Sequence, residues 1–454
     1  MTPVGVPEEL VFNLPMSMLD SRKIEQRIQP YSQSRYSTSG QVAKFTIPQT
    51  DRTLASGQTM YLTGNLDLKG LTGTAGTDTY AILGSFYSIF SRQVVTANGT
   101  VLETIERPGE LVNMLINMTM NEAEKLAQGN SLGTCPQINY AGYSNDGTGN
   151  VSYKINAITT YNPNGNKTLA FAIPLIGVLD AVKYIPMWNS NIDVELTINE
   201  LKNWLTLLDG LGNLAAASFE LYNLELVFDS IELSPESFNM VMANNPQKIV
   251  IKTQSYLAGS GSIAKTQGAV DIPINARLAS MKQLFFYFNQ AYDSLNTKGC
   301  ADQTFGGINP NGRDVVFITN GKYYPQRPIK LDNPAEVYMQ IQKAFGSIKT
   351  YSHSGAIGIG ELRRRQEPNN YYLAPNSNKQ ELDTYGNKFY LAIDTEIINT
   401  NKNSLYNGIS TGVNSNIRLN ISDMLTADLI CYYWCCYDVL LEMDFMTGIT
   451  RSIY

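Results

Sequence analysis

Histidine is almost missing from this sequence: its 454 residues contain one, His353. Imidazole is the side chain that most often acts as a base near neutral pH, and it is a common metal ligand. A histidine-rich metal site is therefore excluded, and any nucleophile activated by histidine would depend on His353. Because His353 lies in the polar segment Tyr351-Ser-His-Ser-Gly355, we interpret it as an ordinary loop residue.

Charge is also sparse. Charged residues make up 16 % of the chain, against about 25 % in typical soluble domains. A disordered chain would carry more charge and fewer aromatic residues than the 10 % found here. The net charge of −6 argues against a protein that coats nucleic acid by charge alone, and we predict no specific nucleic-acid site.

Cysteine is scarce and its spacing does not fit a metal site. The five cysteines are Cys135, Cys300, Cys431, Cys435 and Cys436. An odd number in a chain of this length is not a disulfide framework, so reduced thiols are the simpler interpretation. The segment Cys431-Tyr-Tyr-Trp-Cys435-Cys436 lacks the CxxC spacing of a zinc site. We interpret it as an apolar strand in which cysteine is a small hydrophobic residue, and we predict no metal and no other cofactor.

Long hydrophobic runs are missing. The longest, Leu169–Leu179, contains Pro174 and Gly177 and is shorter than the roughly 20 residues that a membrane-spanning helix needs. The N-terminal segment carries Glu8 and Glu9 instead of a basic start followed by an apolar run. We therefore expect no signal peptide and synthesis inside a cell.

Period-two alternation is what the sequence has in quantity. Apolar and polar residues alternate, or follow strand-like patterns, in segments 42–47, 60–68, 192–199, 222–229, 389–393 and 439–445. One apolar face per strand is the mark of antiparallel sheets packed on one side. Between these segments, Gly129–Gly149 and Leu295–Gly312 are rich in Asn, Gly, Ser and Thr, and we predict long loops there.

Helical signals are few and short. We predict one helix over Glu110–Met118 and a second over Pro334–Phe345, with Asp332 or Asn333 as its cap and the proline at its first position. A further turn or two is predicted within Asn121–Gly129.

The two halves of the chain resemble one another. Four pairs of short matches occur in the same order, separated by 217 to 226 positions: Ile47-Pro48 and Ile272-Pro273, Asn98-Gly99 and Asn320-Gly321, Pro108-Gly-Glu110 and Pro334-Ala-Glu336, and Leu224-Glu225 and Leu441-Glu442. Each match alone is uninformative, but the constant order near half of the chain length indicates a duplication. The boundary would fall near Ser234–Gln247, where Pro235 and Asn244-Asn245-Pro246 break the pattern.

These patterns predict an all-β fold. Two packed antiparallel sheets per half, with a helix in a long connection, are typical of jelly rolls. We predict two consecutive eight-stranded antiparallel jelly rolls, a double jelly roll, with a few short helices in loops. The predicted parts are an N-terminal arm over 1–40, a first roll over 41–238 and a second roll over 239–454. A β-propeller would need repeats of about 40–50 residues, and a parallel α/β sheet would need a helix after nearly every strand.

Three segments have the composition of binding loops. Gly259-Ser-Gly-Ser-Ile-Ala264-Lys265-Thr266 is one residue from a P-loop, but a strand-like segment follows instead of the helix that would meet phosphates, so we predict a flexible hairpin. Gly355-Ala-Ile-Gly358-Ile-Gly360 does not match GxGxxG and is interpreted as a loop. Arg363-Arg364-Arg365 could meet phosphates or carboxylates, and we favour a solvated loop or a subunit contact.

Three tyrosine pairs could form a stacking platform: Tyr323-Tyr324, Tyr371-Tyr372 and Tyr432-Tyr433. Adjacent residues of a strand point to opposite faces. We therefore predict that one tyrosine of each pair packs in the core while the other meets a partner or water.

Several segments follow one another in a specific order, although each is degenerate by itself. In the first half they are Ser85–Ile116 with Ile89-Phe90-Ser-Arg92, Asn98-Gly99 and Leu102-Glu103, then Ile173-Pro174-Leu-Ile-Gly177, Tyr184-Ile185-Pro186, Ile192–Ile198 and Leu224–Leu233. In the second half they are Ala276-Arg-Leu-Ala-Ser280, Tyr324-Pro325, Pro328-Ile329, Leu405-Tyr-Asn-Gly408-Ile-Ser-Thr411 and Ile417–Ile421. This succession, over about residues 40–450, resembles the double jelly-roll major capsid proteins, above all those of polinton-like viruses, adintoviruses and virophages.

The resemblance implies a structural role in a virion. Three chains would form a homotrimer whose six jelly rolls make a pseudo-hexameric capsomer, and capsomers would tile an icosahedral shell around a DNA genome. The partners would be other copies of the chain, neighbouring capsomers, and minor capsid and penton proteins, and the arm of residues 1–40 would be ordered by neighbours. The family has no catalytic residues to transfer, so we predict no enzyme and no catalytic, cofactor-binding or metal-binding residues.

Two other functions are compatible with the strand pattern. One is a two-domain β-sandwich carbohydrate-binding or fibre protein. The other is a β-sandwich glycosidase, although no pair of carboxylates stands out in the sequence. The duplicated halves and the expected lack of a signal peptide favour the capsid interpretation.

Overall fold

A computed structural model gives the structure of the chain. It describes residues 21–70, 79–82, 84–121, 124, 131–132, 144–145, 151–152, 160–161, 168–180, 182–209, 217–245, 247–290, 307, 310, 312–346, 362, 389–397, 407–412, 414–421, 428–445 and 449–453.

Most of these residues form β-strands. The strands of the first half are β1 (Ser21–Ile28), β2 (Arg35–Tyr36), β3 (Val42–Ile47), β4 (Thr53–Ala55), β5 (Tyr61–Lys69), β6 (Thr79–Ile82), β7 (Phe90–Ala97), β8 (Thr100–Glu106), β9 (Ser144–Asn145), β10 (Val151–Ser152), β11 (Thr160–Tyr161), β12 (Thr168–Pro174), β13 (Ile185–Pro186), β14 (Ile192–Ile198), β15 (Leu205–Asp209) and β16 (Ser218–Leu233). Those of the second half are β17 (Lys248–Ile263), β18 (Ala269–Pro273), β19 (Met281–Gln290), β20 (Gly312–Thr319), β21 (Lys322–Lys330), β22 (Tyr390–Asp394), β23 (Asn416–Ile421), β24 (Leu429–Asp444) and β25 (Ile449–Ile453).

The main strands of the first half alternate between two antiparallel sheets. One sheet has the order β3-β14-β7-β8. In the other, β16 pairs with β1 and β2 on one side and with β5 and β4 on the other, and β12 pairs with the far side of β5. Counted along the chain with β1 and β2 as the first strand, one sheet holds the second, seventh, fourth and fifth strands and the other the first, eighth, third and sixth. This is the jelly-roll arrangement.

The second half repeats the same order. Its sheets are β18-β23-β20-β21 and β17-β24-β19-β22, with β25 added beside β24. Among the described residues, no strand of the first half pairs with a strand of the second. The predicted fold of two consecutive jelly rolls is thus confirmed, and we call β1–β16 the first roll and β17–β25 the second roll.

The alternating segments form the strands that were predicted, and their apolar faces meet between the sheets. Phe45 of β3, Leu62 of β5 and Val194 of β14 are fully buried, while the residues beside them in sequence are partly exposed. Strand β24 is different, because every side chain from Tyr433 to Met443 is buried, on both faces of the strand. A strand buried on both faces has a core on one side and a second covering layer on the other.

Two turns and one helix follow their sequence signals closely. Asn98-Gly99 and Asn320-Gly321 join β7 to β8 and β20 to β21, each with positive φ at both residues, as type I′ hairpins require. Helix α1 spans Pro108–Thr119, two residues earlier than predicted because proline is favoured at the first helical position.

The described residues also include two further α-helices and three short 3-10 helices, Gly57–Thr59, Phe86–Ile89 and Leu201–Asn203. Helix α2 spans Pro235–Asn244 and crosses the boundary predicted between the rolls; it was missed, although Ser234 before a proline is a cap signal, and its Oγ accepts a hydrogen bond from the Ser237 N–H at 3.2 Å. Helix α3 spans Pro334–Ala344, and the Asn333 side chain caps it, as predicted. None of the described helices is long and apolar enough to cross a membrane.

The segment expected to form an arm contributes to the first roll. Strand β1 pairs with β16 over its whole length, from Ser21 opposite Leu233 to Ile28 opposite Leu226, and β2 also pairs with β16. Residues 21–36 therefore supply the first strand of the roll within their own chain. Alternation is absent from this segment because β1 lies at the sheet edge with mostly exposed side chains. Residues 1–20 lie outside the described residues, and an arm there stays a prediction.

The four sequence matches fall on equivalent elements. Ile47 and Ile272 lie at the ends of the second strands, the Asn-Gly pairs join the fourth and fifth strands, the proline pair opens α1 and α3, and the Leu-Glu pairs lie in β16 and β24. The two rolls thus repeat in structure the order that the sequence shows.

Candidate functional site: the seam between the rolls

The glycine-rich segment that resembles a P-loop is a tight connection between two sheets. Strand β17 continues to Ile263, a turn closes with the Gln267 N–H donating to the Ala264 carbonyl at 3.1 Å, and β18 begins at Ala269. No helix opens here, so the segment cannot cradle phosphates in the P-loop manner. The predicted hairpin is wrong, because β17 pairs with β24 and β18 with β23 in the other sheet. Glycine is needed because a Cβ at residue 259 would overlap the Tyr433 ring.

The remaining loop candidates lie outside the described residues. These are His353, the Gly355–Gly360 loop, the Arg363–Arg365 run, Tyr371-Tyr372, Cys135 and Cys300. Within the described residues, no group of three or more His, Cys, Asp or Glu side chains could hold a metal ion.

The cysteine run is the apolar strand that the sequence predicts. Cys431, Cys435 and Cys436 are buried in β24 as free thiols. Burial raises the pKa of all three, in the case of Cys436 to about 12. Because the thiolate is the reactive form, these side chains are inert packing groups.

The described tyrosine pairs divide as predicted. Tyr433 is buried, whereas Tyr432 meets the guanidinium of Arg107 at 4.2 Å from its ring centroid. Tyr324 packs near Phe317 against the core, and Tyr323 is 49 % exposed.

The partner of Tyr432 is the other half of the chain. Strand β8 and helix α1 of the first roll lie on the outer face of the β17-β24-β19-β22 sheet of the second roll, and we call this contact the seam. It explains why β24 is buried on both faces. The sequence analysis did not detect the seam, which holds the most unusual ionisable groups among the described residues.

Glu103 is a buried carboxyl at the seam. The hairpin β7–β8 contains a bulge in which Val95 pairs with Glu103 and Thr96 with Val101, so that Leu102 is the extra residue and both it and Glu103 are buried. Burial raises the pKa of Glu103 to about 7, and its hydrogen-bond donors lower it again in part.

Three donors surround this carboxyl. The Ser255 hydroxyl of the second roll donates to Oε2 at 2.7 Å, the Val178 N–H donates to the same oxygen at 2.9 Å, and Gln93 Nε2 donates to Oε1 at 3.2 Å. The Thr253 hydroxyl adds a second bond across the seam, to the Val178 carbonyl at 2.8 Å. Gly177 lies within the apolar run Leu169–Leu179 and has φ +91°. A Cβ at this position would overlap the Glu103 carboxylate.

The partly exposed Arg107 and the buried Glu110 form a second polar cluster at the start of α1. Arg107 lies over Tyr432 and at 5.5 Å from the Trp434 ring centroid, and its Nη2 donates to the Gly259 carbonyl at 2.9 Å. Burial raises the pKa of Glu110 to about 7, while the Arg107 charge and a bond from Tyr287 oppose this shift. The Tyr287 hydroxyl donates to Glu110 Oε2 at 3.4 Å. An arginine stacked on rings beside a carboxyl fixes the register of the two rolls.

Polar contacts continue to both ends of the seam. The side-chain amides of Asn113 and Asn117 on α1 each donate to the Tyr390 hydroxyl at 3.4 Å. At the other end Asn189 Nδ2 donates to the Thr450 hydroxyl at 3.0 Å, and the Ser190 hydroxyl lies 2.9 Å from the same oxygen. Each of these four side chains therefore has a hydrogen-bond partner on the other roll.

Comparison with solved structures identifies this architecture. The chain is similar to a chain of the PBCV-1 virus capsid, with a TM-score of 0.58 and 11 % identity over 97 % of this chain and 98 % of that one. It is similar to the Faustovirus major capsid protein (TM-score 0.56, 10 % identity, 95 % and 92 % covered) and to the mavirus major capsid protein (0.51, 12 %, 100 % and 95 %). The chain has the double jelly-roll fold of viral major capsid proteins.

The double jelly roll confirms, at the level of fold, the resemblance found in the sequence. At 10–12 % identity the likeness lies in the fold, and it extends over nearly the full length of both chains. The sequence matches no protein-family model and no curated protein.

Proposed function

We propose that this chain is a viral major capsid protein, three copies of which form a pseudo-hexameric capsomer that tiles an icosahedral shell around a DNA genome. The observation that carries the proposal is the continuous double jelly roll, shared with capsid proteins over more than nine-tenths of each chain. In this role the chain acts by binding other copies of itself and has no enzymatic activity.

The seam supports this role. It holds the two rolls side by side through buried polar and aromatic contacts, so that each chain is a rigid pair. Three such pairs close a ring of six rolls, and a closed ring needs one donor surface and one acceptor surface on each chain. Low charge and many tyrosines suit the large permanent interfaces of such a ring. Minor capsid and penton proteins would bind the assembled capsomers.

The test is the mass and shape of the purified full-length chain. We expect size-exclusion chromatography with light scattering to give three times the 50.3 kDa chain mass, and electron microscopy to show hexagonal outlines and closed shells. A chain that stays monomeric at all concentrations would overturn the proposal. Glycan binding by such monomers would favour the carbohydrate-binding alternative.

A further inference from the structure

We propose that β21 and α3 of the second roll form the surface with which one copy of this chain binds the outer face of β1, β16 and β5 on the first roll of the next copy. The inference rests on the proposed trimer and names its contact surfaces. It is drawn from the seam, which shows how one roll of this sequence seats on another.

The elements on the two sides of the seam have counterparts elsewhere in the chain. Strand β8 and helix α1 follow the first Asn-Gly turn, and β21 and α3 follow the second. The outer face that β8 and α1 cover belongs to the β17-β24-β19-β22 sheet, whose equivalent in the first roll is the sheet of β1, β16, β5 and β12. In a ring of alternating rolls the same contact recurs between chains.

Helix α3 leaves open the face that α1 buries. Asn113 and Asn117 of α1 contact Tyr390 across the seam. When α1 and α3 are aligned on their first residues, Pro108 and Pro334, the equivalent positions of α3 are Met339 and Lys343. Both are exposed, Met339 to 46 %. Within the chain, Met339 and Lys343 are therefore uncovered at the positions through which α1 contacts the other roll.

Strand β21 is suited to bind a partner through its side chains and not through backbone hydrogen bonds. Its prolines, Pro325 and Pro328, lack the N–H groups with which an edge strand recruits another strand. Its exposed side chains include Tyr323 and the cations Lys322, Arg327 and Lys330, and the strand carries no acidic residue. It is therefore a basic and aromatic surface.

The central strand of the receiving face is acidic, whereas β1 beside it is net basic. Strand β16 carries four acidic residues and no basic one: Glu220, Glu225, Asp229 and Glu232. Glu220, Glu225 and Asp229 form ion pairs with cations of β1, β5 and the β2 segment, with at least one partner of each pair partly exposed. Exposed ion pairs of this kind contribute little to stability and can exchange partners at a small cost in free energy. Cations from β21 of the next copy can therefore bind the same carboxylates.

The test compares two exposed methionines. We would express the full-length chain with Met339→Glu on α3, and as a control Met240→Glu on α2, where Met240 is 52 % exposed but lies outside the proposed contact. Arg327→Glu on β21 is the second variant. We expect Met339→Glu and Arg327→Glu to raise the concentration for half-trimerisation by about tenfold or more, with circular dichroism unchanged, and Met240→Glu to trimerise like the unmodified chain.

The outcomes separate this inference from the proposed function. If the unmodified chain trimerises and both Met339→Glu and Arg327→Glu trimerise equally well, the assignment of β21 and α3 is overturned while the capsid role stands. If the unmodified chain never trimerises, the proposed function fails and this surface assignment fails with it.

Discussion

The hydroxyl of Ser255 in the second roll donates a hydrogen bond of 2.7 Å to Oε2 of Glu103 in the first. The bond joins two elements that lie 152 residues apart in the sequence. It also gives a buried carboxyl a partner that is present only while the rolls are together. Stability and roll–roll contact are therefore coupled at this position.

The first prediction concerns pH. Because burial raises the pKa of Glu103 and Glu110 to about 7 in the folded chain, the folded state holds protons that the unfolded state has released above about pH 4.5. The free energy of unfolding should then fall as pH rises from about 4.5 to 7, and stay level above that. A shift of this size corresponds to roughly 3 kcal/mol for each group.

Glu103→Gln removes one of these two titrations and keeps the side-chain shape. Urea unfolding at pH 5 and pH 8 should show a smaller difference in stability for this variant than for the unmodified chain. Glu232→Gln, at an exposed position of β16, serves as the control and should leave the difference as it is. An unchanged pH dependence in Glu103→Gln would contradict the account of this carboxyl.

The second prediction tests the space beside Glu103. Gly177 has φ +91° and a Cβ there would overlap the Glu103 carboxylate, so Gly177→Ala should destabilise the chain by about 2–4 kcal/mol. Gly40 also has positive φ, +80°, but no atom lies within 4 Å of the position that a Cβ would take there. Gly40→Ala should therefore cost only about 1 kcal/mol. Equal unfolding midpoints for the two variants would refute the overlap.

The third prediction concerns the stacking of Arg107. Lysine keeps the charge near Glu110 but lacks the planar guanidinium that lies over Tyr432 and bonds to Gly259. Arg107→Lys should lower the free energy of unfolding by about 1–2 kcal/mol, measured by denaturation followed through tryptophan fluorescence. Arg22→Lys, in the exposed strand β1, is the control. The stacking has no energetic role if both variants unfold at the same midpoint.

The fourth prediction concerns thiol chemistry. In a chain carrying Cys135→Ser and Cys300→Ser, the three remaining thiols are those of β24. Their raised pKa and burial keep them protonated and covered at pH 8. Labelling by a thiol reagent should be roughly a hundredfold slower in the folded chain than in urea. Rapid labelling without urea would show that the thiols of β24 are not covered in the folded chain.

The sequence predicts those parts of the fold in which a residue's environment depends on near neighbours. In strands with one solvent-facing side, such as β3 and β14, apolar and polar residues alternate, and this period of two is visible in the sequence. The Asn-Gly turns depend only on the backbone conformation of their own two residues. Strand β1 escaped detection because Ile24 and Ile28 are its only apolar residues and its pairing is supplied by β16.

The seam could not be predicted in the same way. The local sequence around Glu103 is that of a solvent-facing hairpin, and only the bulge and the arrival of the second roll bury the carboxyl. One signal was present: the apolar run Leu429–Tyr437 of β24, which alternation on one face cannot explain. Such a run in an otherwise alternating chain indicates a strand covered on both sides.

The two faces of the seam differ in what each half would show to water during synthesis. The half made first presents Arg107, Asn113 and Asn117, which water solvates well, whereas the half made last presents Tyr287 and Trp434. Because synthesis starts at the N-terminus, the polar face of the first roll is made before the aromatic face of the second roll, which is the more prone to aggregate. The order of the two halves therefore places the more polar face of the seam before the aromatic one during synthesis.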